Sequence, residues 1–188
     1  MVLQEQESSA PSPVDDPVLA AALEMFVHDG WIDVRRLGTA SGVSRATLYR
    51  RYGDRDRILG EVVWSQAAAD LADLRARHRG RGATGIAETI EGLLRRSVAR
   101  TSMRTFLHEH AETALRVLTS RHGVVQQRFI ACVTEWIVEE IGEPADIDSR
   151  TLAYAVVRVG ESFYYREFIT GEPADPGAAA VIIGRLLR

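Results

Sequence analysis

The chain has 188 residues and a formal net charge of −3, and 46% of its residues are hydrophobic, which is enough for a substantial core. No apolar run reaches bilayer length, and the first residues lack the basic-then-apolar order of a signal peptide, so we expect a cytoplasmic protein. The single cysteine, Cys132, excludes an internal disulfide and any metal cluster built from cysteines.

Capping residues and glycines delimit three short helices near the start of the chain. Residues 1–14 are rich in Ser, Pro, Glu and Gln, which predicts a disordered tail before them. Each helix is predicted from a capping side chain at its start and a glycine at its end: Asp16 to Gly30, Asp33 to Gly42, and Ser44 to Gly53. The second and third helices, joined by a short glycine-containing turn, have the order and spacing of a helix-turn-helix.

Longer amphipathic helices follow, and no stretch shows the period-2 alternation of a strand. Their predicted ranges are 54–78, 84–100, 102–110, 112–141, 146 or 148 to 168, and 178–188. The sequence therefore predicts an all-α fold of about nine helices, with an N-terminal three-helix helix-turn-helix domain and a larger C-terminal helical bundle.

The third helix separates into an inner and an outer face at 100° per residue. Leu48 and Tyr52 share the inner face and are expected to pack on Leu37 and Val43. The outer face carries Ala46, Thr47 and Arg50, flanked by Tyr49 and Arg51. Arg45, next to the capping Ser44, lies nearer the inner face by angle but can reach past the end of the helix from its first turn. Arginine can bind guanine through two hydrogen bonds, and alanine and the threonine methyl group suit thymine. A DNA-reading helix is therefore predicted, with a solvated arginine-rich surface as the alternative.

The segment GVSRATLYRRYGDRDRIL (residues 42–59) resembles the turn, recognition helix and start of the fourth helix of the TetR-family bacterial transcriptional regulators. The preceding ALEMFVHDGWIDVRRLGTASGVS (residues 22–44) resembles the first two helices of that family. The resemblance implies base contacts from Arg45, Ala46, Thr47 and Arg50, phosphate contacts from Tyr49, Arg51 and Arg55, and a second-helix contact from Arg35.

The same resemblance implies an organisation and a function for the whole chain. It implies a DNA-binding domain at residues 15–60 and a ligand-binding and dimerisation domain at residues 61–188. The expected function is that of a homodimeric repressor, paired through its last two helices, which a small apolar or amphipathic effector releases from double-stranded operator DNA. No cofactor, membrane partner or enzymatic activity is expected.

Seven residues of the larger domain are candidates for the effector site. Arg158 and Glu161 are neighbours at i, i+3 on an apolar helix, where they form either a ligand-binding group or a structural ion pair. The other candidates are the aromatic residues Trp64, Tyr154 and Tyr165 and the histidines His108 and His110. The two histidines lie at i, i+2 and point about 200° apart on a helix, so no metal site is expected there.

A weaker resemblance concerns the C-terminal half. ALRVLTSR (residues 114–121) and VVRVGESFYY (residues 156–165) resemble family members that control quorum-signal degradation, which implies a lactone or related acyl signal as effector. Two other classes of protein remain as alternatives. One is a helical adaptor whose arginine surface binds an acidic protein, and the other is a small helical enzyme using His108 and Glu109.

Overall fold

The computed structural model describes residues 16–120 and 123–188, and the predicted tail at residues 1–14 lies outside them. Within these ranges the chain is helical and contains no strand, which confirms the all-α prediction. The helices are α1 (Pro17–Asp29), α2 (Val34–Ser41), α3 (Arg45–Tyr52), α4 (Arg55–His78), α5 (Gly82–Ala99), α6 (Thr101–Glu109), α7 (Ala111–Thr119), α8 (Val124–Ile141), α9 (Ser149–Tyr164), α10 (Arg166–Thr170) and α11 (Pro176–Leu186).

The prediction of about nine helices was wrong, because two predicted helices are each divided in two. The stretch from residue 112 to 141 breaks before Gly123, where a Cβ atom would lie only 2.8 Å from the Val117 carbonyl oxygen. The backbone turns back on itself there at a distance that only glycine permits. The second break is at Tyr165, which is 7% exposed and separates α9 from the five-residue helix α10.

The capping residues predicted at the first helices do cap them. The Asp16 carboxylate accepts from the Val18 N–H at 3.0 Å, and the Ser44 hydroxyl accepts from the Thr47 N–H at 3.2 Å. At the end of α1, Gly30 has φ +66°, and a Cβ atom there would lie 2.7 Å from Thr105 Cβ on α6. Glycine is thus required at this position both by the left-handed backbone and by the close approach of α6.

The three N-terminal helices and the bundle share one continuous core. Phe26 of α1, Leu37 of α2 and Leu48 of α3 are fully buried together. Phe26 also meets Phe106 of α6 edge to face, with 5.5 Å between ring centroids, which ties the N-terminal helices to the bundle. Because α4 packs on α1 and α3 as well as on α5, α7 and α8, it connects the two parts of the molecule.

In the bundle, α8 packs on α9, and α11 lies across α5 and α9. The outer side of α11 exposes the large apolar side chains of Val181, Ile182 and Leu186. Among the described helices, none combines the length and the apolar character that crossing a bilayer requires.

Candidate nucleic-acid interface and effector cavity

Helix α3, the predicted DNA-reading helix, has the two faces expected from its sequence. Leu48 is fully buried and Tyr52 is 6% exposed, whereas the side chains opposite them face solvent. The exposed set comprises Ser44, Arg45, Ala46, Tyr49, Arg50 and Arg51, with Thr47 half-buried beside them and Arg35 exposed on α2. The Ser44 and Thr47 hydroxyls lie 3.0 Å apart, so the first turn of α3 is fixed by side chains as well as by its backbone.

A buried carboxylate anchors the end of α3. Asp16 is 1% exposed, and its Oδ2 accepts a hydrogen bond from the Tyr52 hydroxyl and lies 2.9 Å from a guanidinium nitrogen of Arg51. Burial and the bond to Asp16 raise the pKa of Tyr52 well above its ordinary value, so Tyr52 stays protonated and donates. From the sequence, Asp16 was predicted only to cap α1. Its side chain also binds Arg51 and so joins the end of α3 to the start of α1.

Arg55 occupies a different environment from the exposed arginines of α3. Its guanidinium carbon lies 4.2 Å from the centroid of the Trp31 ring, and Trp31 stacks on His110 with 3.7 Å between ring centroids. Arg55 Nε is buried and has no hydrogen-bond partner among the described residues. Arg55, Trp31 and His110 form a three-layer stack, called the joint stack here, between the start of α4 and the α6–α7 junction.

The larger domain contains a cavity bounded by α4 to α9. It has a volume of about 80 Å³, measured as space for the centres of water-sized molecules. Its wall is mostly apolar, with contributions from Val63, Leu93, Leu94, Met103, Val125 and Phe129. The polar residues that line it are Gln66, Ser97, Arg100, Glu161, Tyr164 and Tyr165. An apolar wall with a few polar groups is the usual composition of a small-molecule site.

Three of the seven effector-site candidates line this cavity: Trp64, Glu161 and Tyr165. Tyr154 lies on the outer side of α9 and is 53% exposed. His108 is exposed, with its ring 5.4 Å from that of Phe168.

The two remaining candidates also lie outside the cavity lining. His110 belongs to the joint stack, and Arg158 binds Glu161 at 2.5 Å from a half-exposed position. Gln66, Arg100 and Tyr164 also line the cavity but were not predicted from the sequence. Tyr164 could have been found, because it lies three residues after Glu161 and therefore on the same side of α9.

Charges at the cavity wall are compensated by neighbouring side chains. Burial raises the pKa of Glu161 to about 7, although Arg158 opposes this shift. Arg100 binds Asp70, which is 7% exposed. Burial tends to raise the pKa of Asp70, but hydrogen bonds from Arg100 and Arg96 outweigh it and lower that pKa below its ordinary value. Among the described side chains, no group of three or more His, Cys, Asp and Glu residues is placed to hold a metal ion.

A short helix, a glycine turn and an exposed arginine-rich helix, mounted on an all-helical bundle with a cavity, define a helix-turn-helix regulator. Two family profiles match the sequence. Residues 18–62 match "Bacterial regulatory proteins, tetR family", and residues 81–188 match "Tetracyclin repressor-like, C-terminal domain". The chain belongs to the TetR family, and it is a DNA-binding transcriptional regulator rather than an enzyme.

Solved structures show the same fold. The R. erythropolis transcriptional repressor QsdR, from the TetR family, superposes on this chain with a TM-score of 0.81 at 22% sequence identity. The match covers 90% of this chain and 92% of the QsdR chain. The multidrug binding protein EbrR, solved in complex with imidazole, has a TM-score of 0.57 at 17% identity, with coverage of 92% and 88%. No curated protein matches the sequence significantly.

Proposed function

We propose that this regulator is a cytoplasmic homodimeric repressor that dissociates from its operator when a small molecule enters the cavity. One observation carries the proposal: α4 contributes to both sites. Its first turn follows the recognition helix directly, and its later residues Trp64 and Ala67 form part of the cavity wall. A ligand that displaces α4 at Trp64 therefore acts on the element that positions α3.

In this proposal, residues 15–60 bind DNA and residues 61–188 bind the effector and dimerise, with α4 passing from one to the other. Arg45, Ala46, Thr47 and Arg50 contact bases, while Tyr49, Arg51 and the Ser44 end of α3 contact phosphates. Arg35 reaches the same groove from α2. Arg55 contributes mainly to the joint stack and less to phosphate binding, because its guanidinium group lies against Trp31.

The proposed dimer forms through α9 and α11. Support comes from Val181, Ile182 and Leu186 of α11 and Tyr154 of α9, which are large apolar or aromatic side chains left exposed on neighbouring helices. A twofold axis at this surface covers the same residues in both copies. It also presents two recognition helices to successive major grooves of a pseudo-palindromic operator, about 34 Å apart.

The proposed release requires the effector to bind the DNA-incompetent conformation more tightly than the competent one. Coupling of this kind is typically about 1–3 kcal/mol, equivalent to a 5- to 150-fold loss of operator affinity.

The test is a titration of the protein on its own promoter region, followed by footprinting. We expect a protected site with two half-sites, binding that weakens steeply with salt, and no displacement by unrelated duplex at equal concentration. Salt-independent binding, or no protected site, would overturn the proposal.

A further inference from the structure

Arg57, in the first turn of α4, has an exposed side chain. Its backbone N–H donates to the capping carboxylate of Asp54 at 2.7 Å, but its guanidinium group makes no hydrogen bond or ion pair among the described residues. The family resemblance placed the phosphate contact at the start of α4 on Arg55, whose guanidinium group is packed against Trp31 instead. The start of α4 therefore offers a free guanidinium group two residues beyond the one expected from the sequence.

The carboxylates that follow the cap of α4 are bound to other helices. Asp56 accepts a hydrogen bond from Arg116 of α7. Glu61, which is the usual i, i+4 partner for an arginine at position 57, accepts two hydrogen bonds from Arg128 of α8. Among the described residues, Arg57 is thus left without a counter-ion, and its charge is available to an anion from outside the chain.

Arg57 lines a groove that starts at the end of α3. One side of the groove is formed at the turn between α3 and α4 by Arg51, Tyr52 and Gly53. The other side is formed at the end of α7 and the start of α8 by Arg116, Ser120 and Val124. Two of the three arginines in this lining, Arg51 and Arg116, are bound to carboxylates, which leaves Arg57 as the unpaired cation among the described lining residues.

The position of Arg57 on α4 directs its side chain towards the end of α3. Side chains on an α-helix lean towards its N-terminus. Arg57 lies three residues after the capping Asp54, which is about 4.5 Å along the helix axis and within the length of an arginine side chain. Its guanidinium group can therefore reach past the start of α4, to the side of the groove where Arg51 lies.

We infer that Arg57 binds a backbone phosphate of the DNA duplex, beside the phosphate contacted by Arg51. This inference rests on the proposed DNA-binding role of residues 15–60. A phosphate contact strengthens binding to every sequence alike and carries no sequence preference of its own. It extends the DNA interface from α3 onto α4, which also forms part of the cavity wall. An effector that displaces α4 then removes a phosphate contact as well as moving α3.

Salt titration of DNA binding tests the inference on the full chain. The probes are a duplex that holds the footprinted operator and an unrelated duplex of equal length, each followed by fluorescence anisotropy from about 50 to about 200 mM KCl. Each phosphate contact contributes about 0.9 to the slope of log affinity against log salt concentration. Arg57→Gln is expected to reduce this slope by about 0.9 for each bound copy. On both duplexes it should weaken binding about fivefold per copy at about 0.15 M salt.

Two further variants separate a direct contact from a general effect of charge. Arg57→Lys keeps the positive charge in place and is expected to retain the slope of the wild-type protein. Arg95→Gln removes a positive charge from α5, where Arg95 binds Glu91, and is expected to leave the slope unchanged. Because the Arg57 side chain has no partner among the described residues, both substitutions at this position should leave the melting temperature unchanged.

Three results would each overturn the inference. The first is an unchanged slope for Arg57→Gln. The second is an equal loss of slope for Arg95→Gln or for Arg57→Lys, because the effect would then not depend on a charge at position 57. The third is a loss of affinity confined to the operator duplex, which would show that Arg57 contacts a base.

These outcomes are separate from the proposed function. If the wild-type protein protects its operator with a steep salt dependence that Arg57→Gln retains, the phosphate contact fails and the repressor role stands. If Arg57→Gln shows the expected loss of slope but no small molecule releases the operator, the phosphate contact stands and the release mechanism fails.

Discussion

Arg116 of α7 binds Asp56 in the first turn of α4, with 2.7 Å between Arg116 Nε and Asp56 Oδ2. The hydrogen bond that Arg116 donates to the Asp56 carboxylate raises the pKa of Arg116 above its ordinary value. One turn further on, Arg128 of α8 binds Glu61 of α4 through two hydrogen bonds of 2.7 and 3.1 Å. The start of α4, which follows α3 directly, is therefore connected by ion pairs to α7 and α8, two of the helices that line the cavity.

Breaking the first of these pairs should alter DNA binding more than it alters stability. Arg116→Gln frees the start of α4, and we expect a several-fold loss of operator affinity with little change in melting temperature, because the pair is solvent-exposed. Filter binding and thermal denaturation measure the two quantities. Arg95→Gln is the control, because Arg95 binds Glu91 within α5 alone. Equal operator affinity for both variants would contradict the role assigned to Arg116.

Arg50 should determine sequence specificity. Arg50→Ala removes an exposed guanidinium group from the outer face of α3, and we expect about 1–3 kcal/mol weaker binding to the operator. Binding to unrelated duplex should fall much less, so the ratio of the two affinities is the quantity to measure. Arg95→Ala serves again as the control. A uniform loss on both DNAs would show that Arg50 contacts phosphates only.

Tyr52 should contribute to folding of the N-terminal helices through its bond to Asp16. Tyr52→Phe leaves the buried Asp16 carboxylate without its hydroxyl donor, which we expect to lower the free energy of unfolding by about 1–3 kcal/mol. Urea denaturation checks this value. Tyr49→Phe, at a tyrosine of the same helix that is 38% exposed, should change it little. An equal effect of the two substitutions would refute the anchoring role of Asp16.

Glu161 should make stability depend on pH. Its pKa is raised to about 7 in the folded protein, so between its ordinary value near 4.5 and about pH 7 the folded chain binds more protons than the unfolded chain. The contribution of Glu161 to stability therefore falls as pH rises through this window and is constant above it. Glu161→Gln should remove this decline and raise the free energy of unfolding at pH 8 by about 1–3 kcal/mol. Urea denaturation from pH 5 to pH 8 measures the free energy of unfolding of both proteins. A difference between them that does not change with pH would contradict the role assigned to Glu161.

A charge on the exposed side of α11 should dissociate the dimer. Ile182 is 43% exposed on α11, and Ile182→Glu places a carboxylate in the proposed apolar interface. We expect a monomer by analytical ultracentrifugation and a large loss of operator affinity, because each copy then binds a half-site alone. Ile169→Glu, on α10 and outside that interface, is the control. A stable Ile182→Glu dimer would exclude this surface as the interface.

Local signals in the sequence were sufficient for the N-terminal helices. Helix α3 begins after Ser44 and ends before Gly53, as predicted, and the inner position of Leu48 follows from helical periodicity alone. The division of residues 112–141 was not predictable in the same way. At this break a Cβ atom on Gly123 would lie 2.8 Å from the Val117 carbonyl oxygen, a close approach that helical periodicity does not reveal, and no proline marks it.

The lining of the cavity was predictable only in part, because it depends on which helices meet. Glu161 and Tyr165 were identified from α9, but Gln66 on α4 has no sequence signal that relates it to them. His110 was a candidate for the effector site, and the family resemblance implied a phosphate contact for Arg55. Neither assignment could reveal that both side chains lie against Trp31, because these contacts join residues distant in the chain.

The tryptophans lie at positions from which their fluorescence can report on different parts of the molecule. The chain contains three of them: Trp31 in the joint stack, Trp64 in the cavity wall, and Trp136, which is 8% exposed and lies near Arg75. Indole emission responds to the charge and polarity of the groups around the ring. Trp64 should therefore signal arrival of an effector, and Trp31 should signal movement of the N-terminal helices relative to α6. Single-tryptophan variants would record the two events as separate time courses and reveal which comes first.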